Sequence, residues 1–178
     1  MLCQTALVLL VVAPAGGDWI GDWESYRGHY YRLTAEMRWD EAEALAVGVG
    51  SHLVTINDAA ENQWIAETFL PVTNVIALGL YQPPEAQEPD GGWQWISGEP
   101  VTFTNWEGGF PEDPVGDKDL AILLKPPATW IDYDGYRAVS LVEMVPEPAT
   151  VFLVTLGGFA LLCRRRRTTW TCHFPSAN

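Results

Sequence analysis

The sequence predicts an α+β fold, with two helices packed on antiparallel sheets and a long loop region. Three observations predict it. One strand-like segment is followed by two helical patterns and then by strand-like runs only, whereas a doubly wound sheet would alternate the two. The stretch W-Q-W-I-S-G-E-P-V-T-F-T-N-W, from residue 93 to residue 106, alternates aromatics before a Gly-Glu-Pro turn, the pattern of a half-buried hairpin strand. Between Ser97 and Leu120 the chain has little periodicity of either kind, which marks a long loop. With 178 residues and 48% hydrophobic content, one domain of ordinary size can bury a core.

Each element has a local warrant. Residues 26–33, rich in tyrosine, read as the first strand. Trp39, Ala42 and Ala46 fall at helical spacing, and Gly48 and Gly50 end that helix. Asp58 with Glu61 three places later resembles a capping box opening a second helix, which carries Trp64, Ile65 and Phe69 and is closed by Pro71. Strand-like runs follow at residues 75–80, 93–97, 120–124, 129–133 and 137–144. A single module over residues 18–144 is the simplest division.

Charge narrows the function classes. The net charge is -13, and four of the ten basic residues are Arg164, Arg165, Arg166 and Arg167. The part before residue 149 therefore sets six Lys and Arg against all 23 Asp and Glu, a balance of -17. Such a surface repels phosphate backbones, so nucleic acid is not an expected partner. Cations, cationic surfaces and neutral sugars suit it better. Cys3, Cys163 and Cys172 all lie outside the module, which thus has neither a disulfide nor a thiol nucleophile.

The two ends read as processing segments. An apolar run over residues 6–12 leads to Ala13-Pro14-Ala15-Gly16, as in a secretory signal peptide spanning residues 1–15; a buried N-terminal strand is the alternative reading. Near the other end, Pro146-Glu147-Pro148 precedes an apolar stretch over residues 149–163 and then the four arginines. Fifteen helical residues at about 1.5 Å each fall short of a hydrocarbon core of roughly 30 Å, so this is a marginal transmembrane span with its arginines on the cytoplasmic side. Residues 145–167 resemble the PEP-CTERM sorting signal of exported bacterial proteins. That resemblance implies an exosortase-type sorting enzyme as partner and only transient membrane anchoring. An ordinary tail anchor is the rival, and residues 168–178 are an atypical tail.

With these residues placed, the module resembles a C-type lectin-like domain. Gly28-His29-Tyr30-Tyr31 matches the family's opening strand and residues 39–44 its first helix. Gly50-Ser51-His52-Leu53-Val54-Thr55-Ile56 matches the signature before its second helix, and residues 76–80 its W-I-G-L strand, with Ala77 in the tryptophan position. Trp130-Ile131-Asp132 stands where W-N-D is usual, and Leu141-Val142-Glu143 where I-C-E closes the domain. The family's common cysteines are replaced: Ala46 and Val142 stand at one pair of positions, and Leu120 at a third whose partner is expected near Gly135. A lost disulfide in a small secreted domain costs about 2 to 5 kcal/mol, so packing of Trp39, Trp95, Trp106 and Trp130 is expected to hold the fold by burial.

In sugar-binding members of that family, oxygens of the long loop and of the following strand hold calcium, which holds sugar hydroxyls. Calcium takes six to eight oxygens. Here the resemblance places Phe110-Pro111-Glu112 at the ligand triplet, with the proline in a cis peptide, Lys118 at a glutamate position and Ile131 at an asparagine position. No cofactor is expected, and calcium would need some other set of ligands. The candidate ligand-binding residues are Glu112, Asp113, Asp117, Asp119 and Asp132, with Asp134 nearby. A solvated acidic loop is their plain alternative.

No enzyme is expected: the chain has no nucleophile elbow, no H-E-x-x-H and no phosphate loop, and both module histidines, His29 and His52, fall on framework positions; aspartates acting as a glycosidase pair on an extracellular polysaccharide are the enzyme alternative, which spacing alone does not show. The expected function is an exported, non-catalytic recognition module for glycan or extracellular protein, with weakened or absent calcium dependence. The alternative is a surface or extracellular-matrix protein that uses the fold as a scaffold.

Overall fold

A tight hairpin opens the fold. β1 (Trp19–Tyr26) runs antiparallel to β2 (His29–Thr34), with Tyr26 opposite His29. The two residues between them, Arg27 and Gly28, both have positive φ, 51° and 92°, the backbone of a type I′ turn whose twist matches its strands. The expected strand over residues 26–33 is therefore the turn and the second arm of a hairpin, because the aromatic run continues across the reversal. Residues 19–25, to which no sequence signal points, form the first arm. Their pairing is irregular between Ile20 and Glu24, where Gly21 has a φ of 63°, and such a break blurs the alternation that marks a strand.

The computed structural model describes residues 17–112 and 118–146. The chain divides into two units, Met1–Val145 and Pro146–Asn178. The expected signal peptide (1–15), the apolar stretch with its arginines and the 168–178 tail lie outside the described residues. Among the described residues no helix is long and apolar enough to cross a membrane.

α1 (Trp39–Gly48) starts where Glu41 Oε2 accepts the Arg38 N–H at 3.0 Å, and it buries Ala42 and Ala46 completely. After β3 (His52–Leu53), Asp58 caps α2 (Ala59–Phe69) by accepting the Glu61 N–H at 2.9 Å. The reciprocal arm differs from a capping box. Glu61 Oε2 reaches one residue further back, to the Asn57 N–H at 2.9 Å, while its Oε1 accepts the Tyr31 hydroxyl at 2.7 Å.

The remaining strands are β4 (Val75–Tyr81), β5 (Gln94–Trp95), β6 (Leu120–Leu124), β7 (Trp130–Tyr133) and β8 (Leu141–Met144). They complete two antiparallel sheets, β1-β2-β8-β3 and β5-β4-β6-β7. The segment expected as a strand over residues 137–144 pairs fully only from Leu141 onward, because its first part joins the sheets. Ala138 bridges Met37, the Ser140 N–H reaches Thr34 Oγ1, and the Ala77 N–H reaches Val139 O. Gly79 is required where β4 meets β3: a Cβ there would lie 2.5 Å from Leu53 O.

Two apolar clusters form the core. The larger centres on Trp130, fully buried, with Trp95, Phe103 and Trp106 edge-on at 5.8, 5.7 and 5.9 Å. Each such aromatic pair adds about 0.5–1.5 kcal/mol beyond burial. The smaller cluster joins Ala42, Ala46, Leu53 and Val142, so apolar contact occupies one pair of cysteine positions, as the resemblance implied.

Candidate functional site

Residues 96–119 contain no regular element among those described, yet β7 pairs with β6 where the loop ends and holds the loop at Trp106 as well. Trp130 N–H donates to Asn105 O and Glu107 N–H to Trp130 O, both at 2.8 Å. Asn62, at 4% exposure on α2, takes the Trp130 indole N–H on its Oδ1 at 2.8 Å and gives its own N–H to Ala128 O at 2.9 Å. A helix, a loop stem and a strand end thus meet around one indole. Beyond the stem, Gly109 with a φ of 97° leads into a cis Phe110–Pro111 peptide, the geometry that the resemblance implied.

β7 alternates inward and outward, so Trp130 and Asp132 share the buried face. Asp132, at 3% exposure, accepts the Glu112 N–H on its Oδ2 at 3.3 Å. Its Oδ1 is buried with no hydrogen-bond partner among the described residues. An unsatisfied buried carboxylate oxygen is costly, and among the described residues at the loop it is the feature that suits a cation.

Of the five candidate residues, Glu112 and Asp132 meet, although through the Glu112 backbone; the Glu112 side chain is exposed. Asp119 stands at the start of β6, where its carbonyl accepts the Gln82 N–H at 2.8 Å. Asp113 and Asp117 lie outside the described residues. Asp134 is exposed and accepts the Tyr136 N–H at 3.4 Å. Among the described residues no group of three or more His, Cys, Asp or Glu is placed to hold a metal ion. Phe110 and Ile131 remove two oxygens from the set that calcium would use, so the described residues do not fit the family's calcium ion.

A buried acid pair carries no local sequence signal. Glu143, at 1% exposure, accepts the Thr55 N–H at 3.0 Å on Oε2 and lies 2.5 Å from His29 Nδ1 through Oε1. Tyr31 hydroxyl stands between the two acids, 2.7 Å from Glu61 and 3.4 Å from Glu143. Burial first, and Glu143 second, push the Tyr31 hydroxyl far above its usual range, and burial raises Glu61. The signal that could have found this pair is register, since Tyr31 lies opposite Glu143 across β2 and β8. Both histidines have framework contacts, with His52 Nδ1 at 2.9 Å from Leu53 O.

The family model for the lectin C-type domain matches residues 35–137. The chain belongs to the C-type lectin domain family. The model for the PEP-CTERM protein-sorting motif matches residues 145–167, so the lectin domain is followed by an export-sorting motif. Human C-type lectin domain family 17, member A is 37% identical over 118 residues, covering 65% of this chain and 29% of that protein. The 30 kDa spicule matrix protein of Hemicentrotus pulcherrimus is 44% identical over 59 residues, 32% of this chain and 19% of that protein. The chain thus spans less than a third of either relative. Among solved structures, the carbohydrate-recognition domain of the mouse scavenger receptor C-type lectin superposes with a TM-score of 0.61 at 28% identity, covering 71% of this chain and 95% of that domain. The lectin fold is therefore kept without the family's cysteines.

Proposed function

We propose that this chain is an exported, non-catalytic recognition module that binds glycan or an extracellular protein through its long loop, with little or no dependence on calcium. One observation carries the reading: the loop past Phe110 and Pro111 is docked on buried Asp132 through the Glu112 N–H. The loop's architecture persists although Phe110 and Ile131 cannot offer oxygen to a metal. The sorting motif at residues 145–167 supports export through an exosortase-type enzyme, with transient anchoring by the apolar stretch before the arginines. The framework contacts of His29 and His52 support a role without chemistry.

The test is binding of the full chain to a glycan array and to extracellular protein extracts, with and without chelator. Binding that survives chelation and disappears when residues 107–119 are deleted is expected. A strictly calcium-dependent signal, or binding indifferent to the deletion, would overturn the reading. The likeness to a spicule matrix protein favours a second reading, in which the acidic fold is a matrix scaffold; that role would survive the same deletion.

A further inference from the structure

At the start of the loop region, apart from its 107–119 segment, β5 and the turn after it, residues 93–101, line a cleft of about 320 Å³. Trp93, Gln94, Glu99 and Pro100 line it together with Trp95, which is buried at 2% exposure. That volume lies at the lower end of the small-ligand range of about 300–1,000 Å³. None of Glu112, Asp119 or Asp132 lines it.

Two groups in the cleft are held in advance of any ligand. Trp93 is half-buried, tilted at 57° against Trp106 with ring centres 4.8 Å apart, and its indole N–H reaches Pro89 O at 3.3 Å. Its ring is thereby fixed in orientation while part of it stays open to the cleft. Glu99 Oε2 accepts the Asn57 side-chain N–H at 2.8 Å, which positions the carboxylate and leaves Oε1 outside that bond. Exposed Gln94 adds an amide, 3.4 Å from Tyr81 hydroxyl. The cleft wall contains no Lys, Arg or His, and the whole chain carries a charge of -13.

An indole and an acidic residue lining one cleft, with no Lys, Arg or His in that lining, suit a cation: the ring face attracts it and the carboxylate pairs with it. The cleft is too broad for a bare ammonium group to fill, and its surface mixes apolar ring with hydrogen-bonding groups, as the two faces of a sugar ring do. We propose that this cleft is a calcium-independent site for a sugar ring carrying a free amine, with the ring on Trp93 and the amine on Glu99. Only the choice of a sugar rests on the recognition reading above; the site itself does not use residues 107–119.

The test is calorimetric titration of the full chain in EDTA with the glucosamine disaccharide, its fully N-acetylated form, cellobiose and Nα-acetyl-lysine amide. The free-amine disaccharide is expected to bind at least about tenfold tighter than the acetylated or neutral one, the size of one charge-assisted hydrogen bond, and to weaken with added salt. Glu99→Gln should remove that preference, and Trp93→Ala should abolish binding. Trp93→Phe should keep part of it, guarding against loss of fold in the alanine variant. Asp132→Asn serves as the control for the long loop and should leave this binding unchanged. Equal affinity for the free and acetylated sugars, tighter binding of the lysine amide, insensitivity to Glu99→Gln, or no saturable binding would each overturn the proposal. Loss of binding in Asp132→Asn alone would also overturn it, while leaving the long-loop reading in place.

Discussion

Leu120 closes over Gly135: a Cβ built on Gly135 would lie 2.9 Å from Leu120 Cδ1. Gly135 also has a φ of 78°, a backbone that other residues adopt only with strain. These are the positions at which the family resemblance placed a cysteine and its partner, so a leucine methyl and a bare backbone fill the space of a crosslink. Gly135→Ala should destabilise the protein by about 1–3 kcal/mol through overpacking and strain together. In the double variant with Leu120→Ala, the steric share of that loss should return. Chemical denaturation of both single variants and the double gives the coupling directly. Strictly additive losses would mean that the two side chains do not compete for this space.

Asn62 ties the long-loop stem to α2, and its removal tests how much that tie contributes. It satisfies the Trp130 indole N–H and also donates to Ala128 O, which keeps a second donor in the Asn105 side chain at 2.7 Å. Asn62→Ala therefore orphans one buried donor rather than two groups, and should lower stability by about 2–3 kcal/mol. Asn105→Ala, on the half-buried side of the same carbonyl, should cost less than half as much. Equal effects from the two in chemical denaturation would show that the indole bond contributes no more than the bonds to Ala128 O.

The lectin-like frame was legible because it is written in local signals. Asp58 and Glu61, the spacing of Ala42 and Ala46, and the W-Q-W alternation each act within a few residues: Asp58 caps α2, Ala42 and Ala46 are buried on α1, and of the strand expected over residues 93–97 only Gln94–Trp95 pairs, as β5. The β1 and β2 hairpin was not, because Arg27 carries half of its turn in a positive-φ backbone that side-chain identity does not advertise. The buried acids were hidden for a different reason. Glu143 and Glu61 are 82 positions apart in the chain and share Tyr31, a relation that only strand pairing creates. At the candidate site the loop's frame was legible from Pro111, whereas the meeting of Asp132 with the Glu112 backbone depends on a register that no local pattern encodes.

Stability should peak on the acid side of neutral. Burial raises Glu61, and burial likewise raises half-buried Glu43, whose Oε2 accepts the Leu53 N–H. A raised carboxyl binds its proton more tightly folded than unfolded, so each of these acids adds stability as pH falls through its folded value. That contribution is complete below the ordinary glutamate range and absent at neutral pH. Asp40 is lowered, first by its hydrogen bond from Arg38, and Asp58 first by the Glu61 N–H. Their contribution holds above the ordinary aspartate range and is lost as pH falls through their depressed values. Melting temperature should therefore rise from neutral pH down into the ordinary carboxyl range, then fall below it. Glu61→Gln should flatten the rising limb. A melting temperature that declines steadily from neutral pH would contradict this assignment.

Asp132 should tie down the long loop more than it stabilises the fold. Its Oδ2 holds the Glu112 N–H at 3.3 Å, while its Oδ1 is buried with no hydrogen-bond partner among the described residues. Asp132→Ala removes both atoms: one hydrogen bond is lost, and the burial of an unsatisfied oxygen is relieved. The two effects oppose each other and are of similar size, about 1–3 kcal/mol for the unsatisfied group against about 1 kcal/mol for the bond. Global stability should accordingly change by less than about 2 kcal/mol, a window set by those two opposing effects. The loop has no such compensation. With its anchor gone, the Glu112 amide should exchange with solvent about tenfold faster, while amides of β6 and β7 keep their protection. Hydrogen exchange read by NMR separates the two effects. Unchanged exchange at Glu112 would show that the loop is held elsewhere, and a collapse of protection in β7 would show that Asp132 supports the sheet itself.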